Sequence, residues 1–148
     1  QALSPAQILF ERYFNFLKSE EKSMSKTAQD FLAEANAIVP RIETDAGIAR
    51  HGQANVVIVD VRDGMDIAKT GTVAGALRIP RGFIEFAADS NTQFHQPAMQ
   101  KDAEVILICA AGGQAALAGK TLIDMGYQNV SNVGGFGAWK EQGGPVEA

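Results

Sequence analysis

From residue 41 onward the chain alternates short, uninterrupted apolar runs with longer mixed stretches. Val56-Val57-Ile58-Val59 is β-branched throughout and ends at Asp60. Ala76-Leu77-Arg78-Ile79 is shorter and is stopped by Pro80, Val105-Ile106-Leu107-Ile108 is again unbroken, and residues 129–133 form a fourth piece. Runs without polar alternation suit strands covered on both faces, as in a parallel sheet. The stretches between them have room for helices, most clearly residues 113–125, where Ala116, Leu117, Leu122 and Met125 give an apolar side. Strand and helix repeated in turn predict an α/β architecture.

The first 40 residues have a different pattern. Over residues 5–18, Phe10, Tyr13, Phe14 and Leu17 recur at helical spacing, Pro5 suits a first turn, and Ile8, Leu9 and Phe16 widen the stripe. So broad an aromatic stripe wants cover, through packing, self-association or a partner. The mixed charge of its polar side argues against a membrane-surface anchor. A second helix is expected over residues 26–38, with Phe31, Leu32, Ala35 and Ile38 on one side, Ser25 as its N-cap, and Pro40 preventing continuation. The expected organisation is therefore a helical extension over residues 1–40 and one domain over 41–148. Met24-Ser25-Lys26-Thr27 reads as an internal start, which would make residues 1–23 an upstream segment of open origin. Glu11, Arg12 and Lys18 interrupt it too often for a signal peptide.

Composition narrows the function. The chain has 148 residues, enough for one domain with its own core. A net charge of -4 argues against nucleic acid as the main partner. No apolar run approaches the ~20 residues needed to span a bilayer. One cysteine forms no internal disulfide, so nothing points to secretion and the expected setting is the cytoplasm. With two histidines and one cysteine, a structural zinc site is not expected, nor is any cofactor.

That cysteine, Cys109, closes an apolar strand, and Ala110-Ala111-Gly112-Gly113-Gln114-Ala115 leads straight into a helix. Ligands of open α/β sheets bind beyond the carboxyl ends of the strands. A helix start offers unpaired N–H groups and the positive end of the macrodipole there. Paired glycines let such a loop turn its amides inward as an anion nest. A thiolate is stabilised in that setting, so Cys109 is read as a reactive nucleophile.

Residues 109–114, Cys-Ala-Ala-Gly-Gly-Gln, resemble the Cys-x-x-Gly-x-Arg loop of rhodaneses. Two further blocks strengthen the resemblance. Asp60-Val61-Arg62 followed by Gly71-Thr72-Val73-Ala74-Gly75-Ala76-Leu77-Arg78-Ile79-Pro80 resembles the family's first signature. Gly126-Tyr127-Gln128-Asn129-Val130, with Gly134-Gly135-Phe136 and Trp139, resembles its closing one. The match covers residues 41–146, and Pro80-Arg81-Gly82-Phe83-Ile84-Glu85-Phe86 is similar to a bacterial single-domain branch with an N-terminal helical extension. The resemblance implies an open, mainly parallel sheet with helices on both faces, preceded by N-terminal helices. It also implies transfer of a sulfane sulfur from a donor such as thiosulfate to a thiol or cyanide acceptor, through a Cys109 persulfide. Cys109 would be the nucleophile, with Ala110, Ala111, Gly112, Gly113, Gln114, Ala115 and Arg81 around the substrate. With no second cysteine, the acceptor comes from outside the chain.

Gln114 departs from the pattern, because it donates hydrogen bonds but carries no charge. A unit charge pair about 4 Å apart is worth roughly 4 kcal/mol gross at an effective dielectric of ~20, before desolvation. Weak thiosulfate turnover is therefore expected. Arg81 is a candidate replacement, whereas Arg62 and Asp60 are expected to be structural and Trp139 to plug the core. His51 and His95 are expected on the surface. One alternative is a sulfur-carrier or regulatory binding module with little turnover. The other is a cysteine-based phosphatase, disfavoured because such loops are one residue longer and end in Arg, where this chain has Ala115.

Overall fold

In a computed structural model, which describes residues 2–148 apart from the side chains of 21–23, the chain divides into two units, Gln1–Phe31 and Leu32–Ala148. The first holds helix α1 (Pro5–Met24) and the start of α2 (Ala28–Ile38). Both begin with reciprocal caps. Ser4 Oγ accepts the Gln7 amide while the Ser4 amide donates to Gln7 Oε1, and Thr27 and Asp30 make the same exchange. Thr27, rather than Ser25, therefore caps α2, because Thr27-Ala28-Gln29-Asp30 has the three-residue spacing the exchange needs. The Thr27 backbone N–H, followed by its hydroxyl, holds the Asp30 carboxyl below the usual range. Helix α1 continues past its predicted end at residue 18. Its Leu9, Phe10, Tyr13 and Phe16 are exposed, and the rings of Phe10 and Phe14 stack 6.1 Å apart.

The second unit continues with α3 (Thr44–Arg50), β1 (Val56–Asp60), α4 (Gly64–Thr70), β2 (Thr72–Val73), β3 (Leu77–Arg78), a 3-10 turn at Arg81–Phe83, and α5 (Ile84–Ala88). It ends with β4 (Glu104–Cys109), α6 (Gly113–Asp124), β5 (Asn129–Gly135), α7 (Phe136–Glu141) and β6 (Val146–Glu147). The order β3-β1-β4-β5 makes a parallel four-stranded sheet, and β2 pairs with β6 as a small antiparallel ribbon.

Strand periodicity decides where the cysteine points. Alternate residues of β4 go to opposite faces. Val105, Leu107 and Cys109 join the core with Ala115, Ala118 and Leu122 of α6. Ile106 and Ile108 join Ile58, Val133, Phe136 and Trp139 on the other side. Both faces are thus covered, which is why the strands read as unbroken apolar runs. Trp139 is fully buried, as the sequence predicts, and its indole N–H donates to Pro145 O at 3.0 Å. His51 is less free than expected: its Nε2 lies 2.7 Å from Ala74 O and its ring meets Trp139 edge-on.

Asp60 and Arg62 lock the carboxyl end of β1. The guanidinium reaches both Asp60 oxygens, Thr70 Oγ1 and Gly71 O, and lies 4.6 Å from the Phe136 ring centre. Thr72 Oγ1 donates to the same carboxylate at 2.7 Å. With its donors occupied and 5% of its side chain exposed, Arg62 is structural.

Candidate active site

Cys109 is the last residue of β4 and is 2% exposed. Strand alternation turns its side chain toward α6, and the loop after it folds back over the sulfur. The Gly112 amide donates to Sγ at 2.9 Å and the Ala115 amide at 3.4 Å. Gly112 adopts the left-handed conformation (φ 97) at the N-cap of α6, a turn that favours glycine. The thiol therefore sits at a helix N-terminus with backbone donors aimed at it, an arrangement that stabilises negative charge on sulfur.

A second residue holds this loop in place. Asn132, 1% exposed, donates from Nδ2 to Gly112 O at 2.9 Å and accepts the Gly134 amide on Oδ1 at 2.9 Å. Its position follows from a register shift: Leu107 pairs with Asn132 but Ile108 with Gly134, which leaves Val133 as an extra residue in β5. At the next pair, Cys109 faces Gly135, where a Cβ would strike the backbone oxygen of Ala110. The glycine pair at 134–135 lets the loop lie directly against β5.

The mouth of the loop is small and uncharged. Ala110, Ala111 and Gln114 are exposed, while Gly112 and Ala115 are buried. Arg81 is directed elsewhere: Nη2 donates to Thr121 on α6 at 3.3 Å and Nη1 lies 3.6 Å from Glu85. The guanidinium that touches the loop belongs to Arg41. A Cβ at Gly112 would lie 2.6 Å from its Nη1, and a Cβ at Gly134 would strike its Nη2. Sequence reasoning missed both Arg41 and Asn132. Asn132 lies in a weak strand pattern, Asn-Val-Ser-Asn-Val-Gly-Gly, that does not single it out, and Arg41, just after Pro40, belongs to no motif.

A cavity of about 600 Å³ lined by Asp89, His95, Lys101 and Tyr127 opens at the amino ends of β4 and β5. It lies at the far end of the sheet from Cys109. The Tyr127 hydroxyl beside it donates to the carbonyls of Ala88 and Met99.

Comparison with known proteins places this geometry. Residues 44–142 match the model of the rhodanese-like domain. The thiosulfate sulfurtransferase GlpE of Haemophilus influenzae (strain PittEE) is 29% identical over 96 residues, which is 64% of this chain and 83% of that protein. Among solved structures, a protein of unknown function from Rhodopseudomonas palustris CGA009, described as a possible tyrosine phosphatase, is 38% identical. It superposes with a TM-score of 0.77 over 84% of this chain and 96% of its own. The polysulfide-sulfur transferase homodimer of Wolinella succinogenes is 25% identical, with a TM-score of 0.63 over 78% of this chain and 83% of its own. The matched region contains the complete Cys109 loop and both strands that brace it. The chain belongs to the rhodanese-like family.

Proposed function

We propose that this chain is a sulfurtransferase that carries a sulfane sulfur on Cys109 between an anionic donor such as thiosulfate and a thiol or cyanide acceptor. The observation that carries the reading is the pair of amides, Gly112 and Ala115, donating to Sγ at the end of β4. In the first step the Cys109 thiolate attacks the outer sulfur of thiosulfate. A new S–S bond forms, the old one breaks, and sulfite leaves with the bonding pair, so that one monoanion and one dianion give Cys109-S-S⁻ and sulfite dianion. In the second step cyanide attacks the terminal sulfur, giving thiocyanate and restoring the thiolate. Neither step needs a proton from the protein, which fits a mouth lined by Ala110, Ala111 and Gln114. The chemistry parallels thiol–disulfide exchange, and the double displacement gives ping-pong kinetics.

The loop amides of Gly112 and Ala115 hold the thiolate and, in this reading, the terminal persulfide anion as well. Because Gln114 supplies no charge from within the loop, turnover with thiosulfate is slow unless a cation outside the loop replaces it, and a sulfur-carrier role with a protein or small-thiol acceptor is the second reading. The single thiol suits a reducing compartment such as the cytoplasm. A phosphatase is disfavoured because the dianionic phosphate of such substrates is gripped by a loop arginine, and none occurs between Cys109 and Gly119.

The test is intact mass spectrometry under non-reducing conditions after incubation with thiosulfate, with Cys109→Ser as control. The wild type gains one sulfur that cyanide or a thiol removes, and the variant gains none. Absence of a sulfur adduct together with hydrolysis of an aryl phosphate would overturn the proposal.

A further inference from the structure

Two arginines near the carboxyl ends of the strands behave in opposite ways. Arg62 is buried and its donors are occupied by Asp60, Thr70 and Gly71. Arg41 is an exposed residue whose side chain, among the described residues, makes no hydrogen bond or ion pair, yet its place is fixed. The Asn132 amide donates to Pro40 O at 2.9 Å and the Ile42 amide to Asn132 O at 3.0 Å, so Arg41 is held alongside β5 like a short parallel edge. From there its side chain runs to Gly134 and Gly112, two left-handed glycines (φ 94 and 97) whose missing Cβ atoms leave the slot it occupies. Its other side lines an open groove with Asn36, Ile38 and Pro40 at the end of α2. Its donors, unlike those of Arg62, are left free for a ligand or for water.

We propose that Arg41 is the anion-binding residue of this site, holding the negatively charged head of the sulfur donor over the Cys109 loop and supplying the positive charge that Gln114 lacks. The proposal rests on the sulfur-transfer reading for the identity of the anion, but not for the charge itself. Bond lengths through Gly112 bound the distance from Nη1 to Cys109 Sγ at about 8.5 Å. The sulfonate of a thiosulfate attacked at its outer sulfur projects outward from Sγ and spans part of that gap. A planar fork with free donors is suited to two oxygens of such a group.

The experiment separates Arg41's charge from turnover. Cys109 is alkylated with iodoacetate, an anion, and with iodoacetamide, its neutral analogue, in the wild type, Arg41→Gln and Arg41→Lys. Both reagents consume the same thiolate, so their rate ratio reads the field at the mouth and cancels changes in thiolate population. Arg41→Gln should lower the iodoacetate-to-iodoacetamide ratio about twofold to fivefold, as for a partly exposed charge contact. Arg41→Lys should keep most of it, and salt near 1 M, with a Debye length of ~3 Å, should erase the difference. With thiosulfate, Arg41→Gln should raise KM by a similar factor and leave kcat within about twofold.

An unchanged ratio and unchanged KM in a variant that unfolds in urea like the wild type would overturn the role of Arg41. A variant destabilised by the glutamine is replaced in the comparison by Arg41→Lys and Arg41→Met, where a loss of the ratio in both would also overturn it, since lysine keeps the charge. If the wild type takes up no sulfur from thiosulfate, the transfer reading fails, while the alkylation ratio still decides whether Arg41 binds anions.

Discussion

Replacing Asn132 with alanine tests whether the reactive loop is held by β5 rather than by its own turn. The carboxamide makes two buried hydrogen bonds, one to Gly112 O and one from the Gly134 amide, both 2.9 Å. The two losses are unequal. Gly112 O keeps the Ala116 amide at 3.0 Å, the first hydrogen bond of α6, so it loses only a second donor. That bond contributes about 0.5–1.5 kcal/mol net. The Gly134 amide is left buried without its acceptor, a cost of about 1–3 kcal/mol. Asn132→Ala should therefore destabilise by roughly 1.5–4.5 kcal/mol. With a urea m-value of about 2 kcal/mol/M, the unfolding midpoint falls by about 1–2 M. The second readout is local: because the Gly112 amide donates to Cys109 Sγ, its hydrogen exchange measured by NMR should accelerate more than that of Val59 in β1. An unchanged midpoint would refute the bond accounting. A lowered midpoint with Gly112 and Val59 accelerated equally would refute the idea that Asn132 braces the loop.

Asp60→Ala strands the buried Arg62 charge and should cost about 3–5 kcal/mol by urea unfolding, whereas replacing both residues with apolar ones of similar volume should recover much of it. Burial, and then the nearby Asp89, raise the Tyr127 phenol above its ordinary value near 10. The folded state thus favours the protonated phenol, a contribution present below that ordinary value and lost as pH rises through the folded one. Tyr127→Phe should cost about 1–3 kcal/mol at pH 7 through its two lost carbonyl contacts, and its stability should fall less than the wild type's above about pH 10. Gly135→Ala, whose Cβ would meet Ala110 O, should lose about 1–3 kcal/mol in thermal or urea unfolding. Gly113→Ala meets only Leu32 Cδ2 at 3.5 Å and should be neutral or gain up to ~1 kcal/mol.

Much of this fold was legible because its signals are local. The runs at 56–59 and 105–108 are unbroken because helices cover both faces of the sheet, and they became β1 and β4 within a residue or two. The glycine-rich stretch after Cys109 became the start of α6, and Asp60 and Arg62, expected to be structural, proved to be paired with each other. Less legible features depended on register and through-space approach. The extra residue in β5 that sets Asn132 under Gly112 leaves no mark in hydrophobic periodicity, since Asn-Val-Ser-Asn-Val-Gly-Gly reads as a weak strand under either pairing. Arg41 lies some seventy residues before the loop it touches, and only the Pro40–Ile42 bridge to Asn132 brings it there. Arg81 follows a strand end and so looked like part of the rim, but the turn at Arg81–Phe83 sends its side chain along α6 to Thr121.

The same separation bears on the possible-phosphatase description of the Rhodopseudomonas palustris relative. A shared fold hosts different reactions, so the decision falls to the loop. A phosphoryl group brings three oxygens and two charges and needs its grip from the loop that surrounds the nucleophile. A sulfane sulfur brings a soft, polarisable atom to the thiolate and keeps its sulfonate head outside. The Cys109 loop offers amides close to the sulfur, alanines at its mouth and a guanidinium only at its edge. Such a gradient, amide donors near the nucleophile and a cation beyond it, suits an anion that reacts through its soft sulfur end.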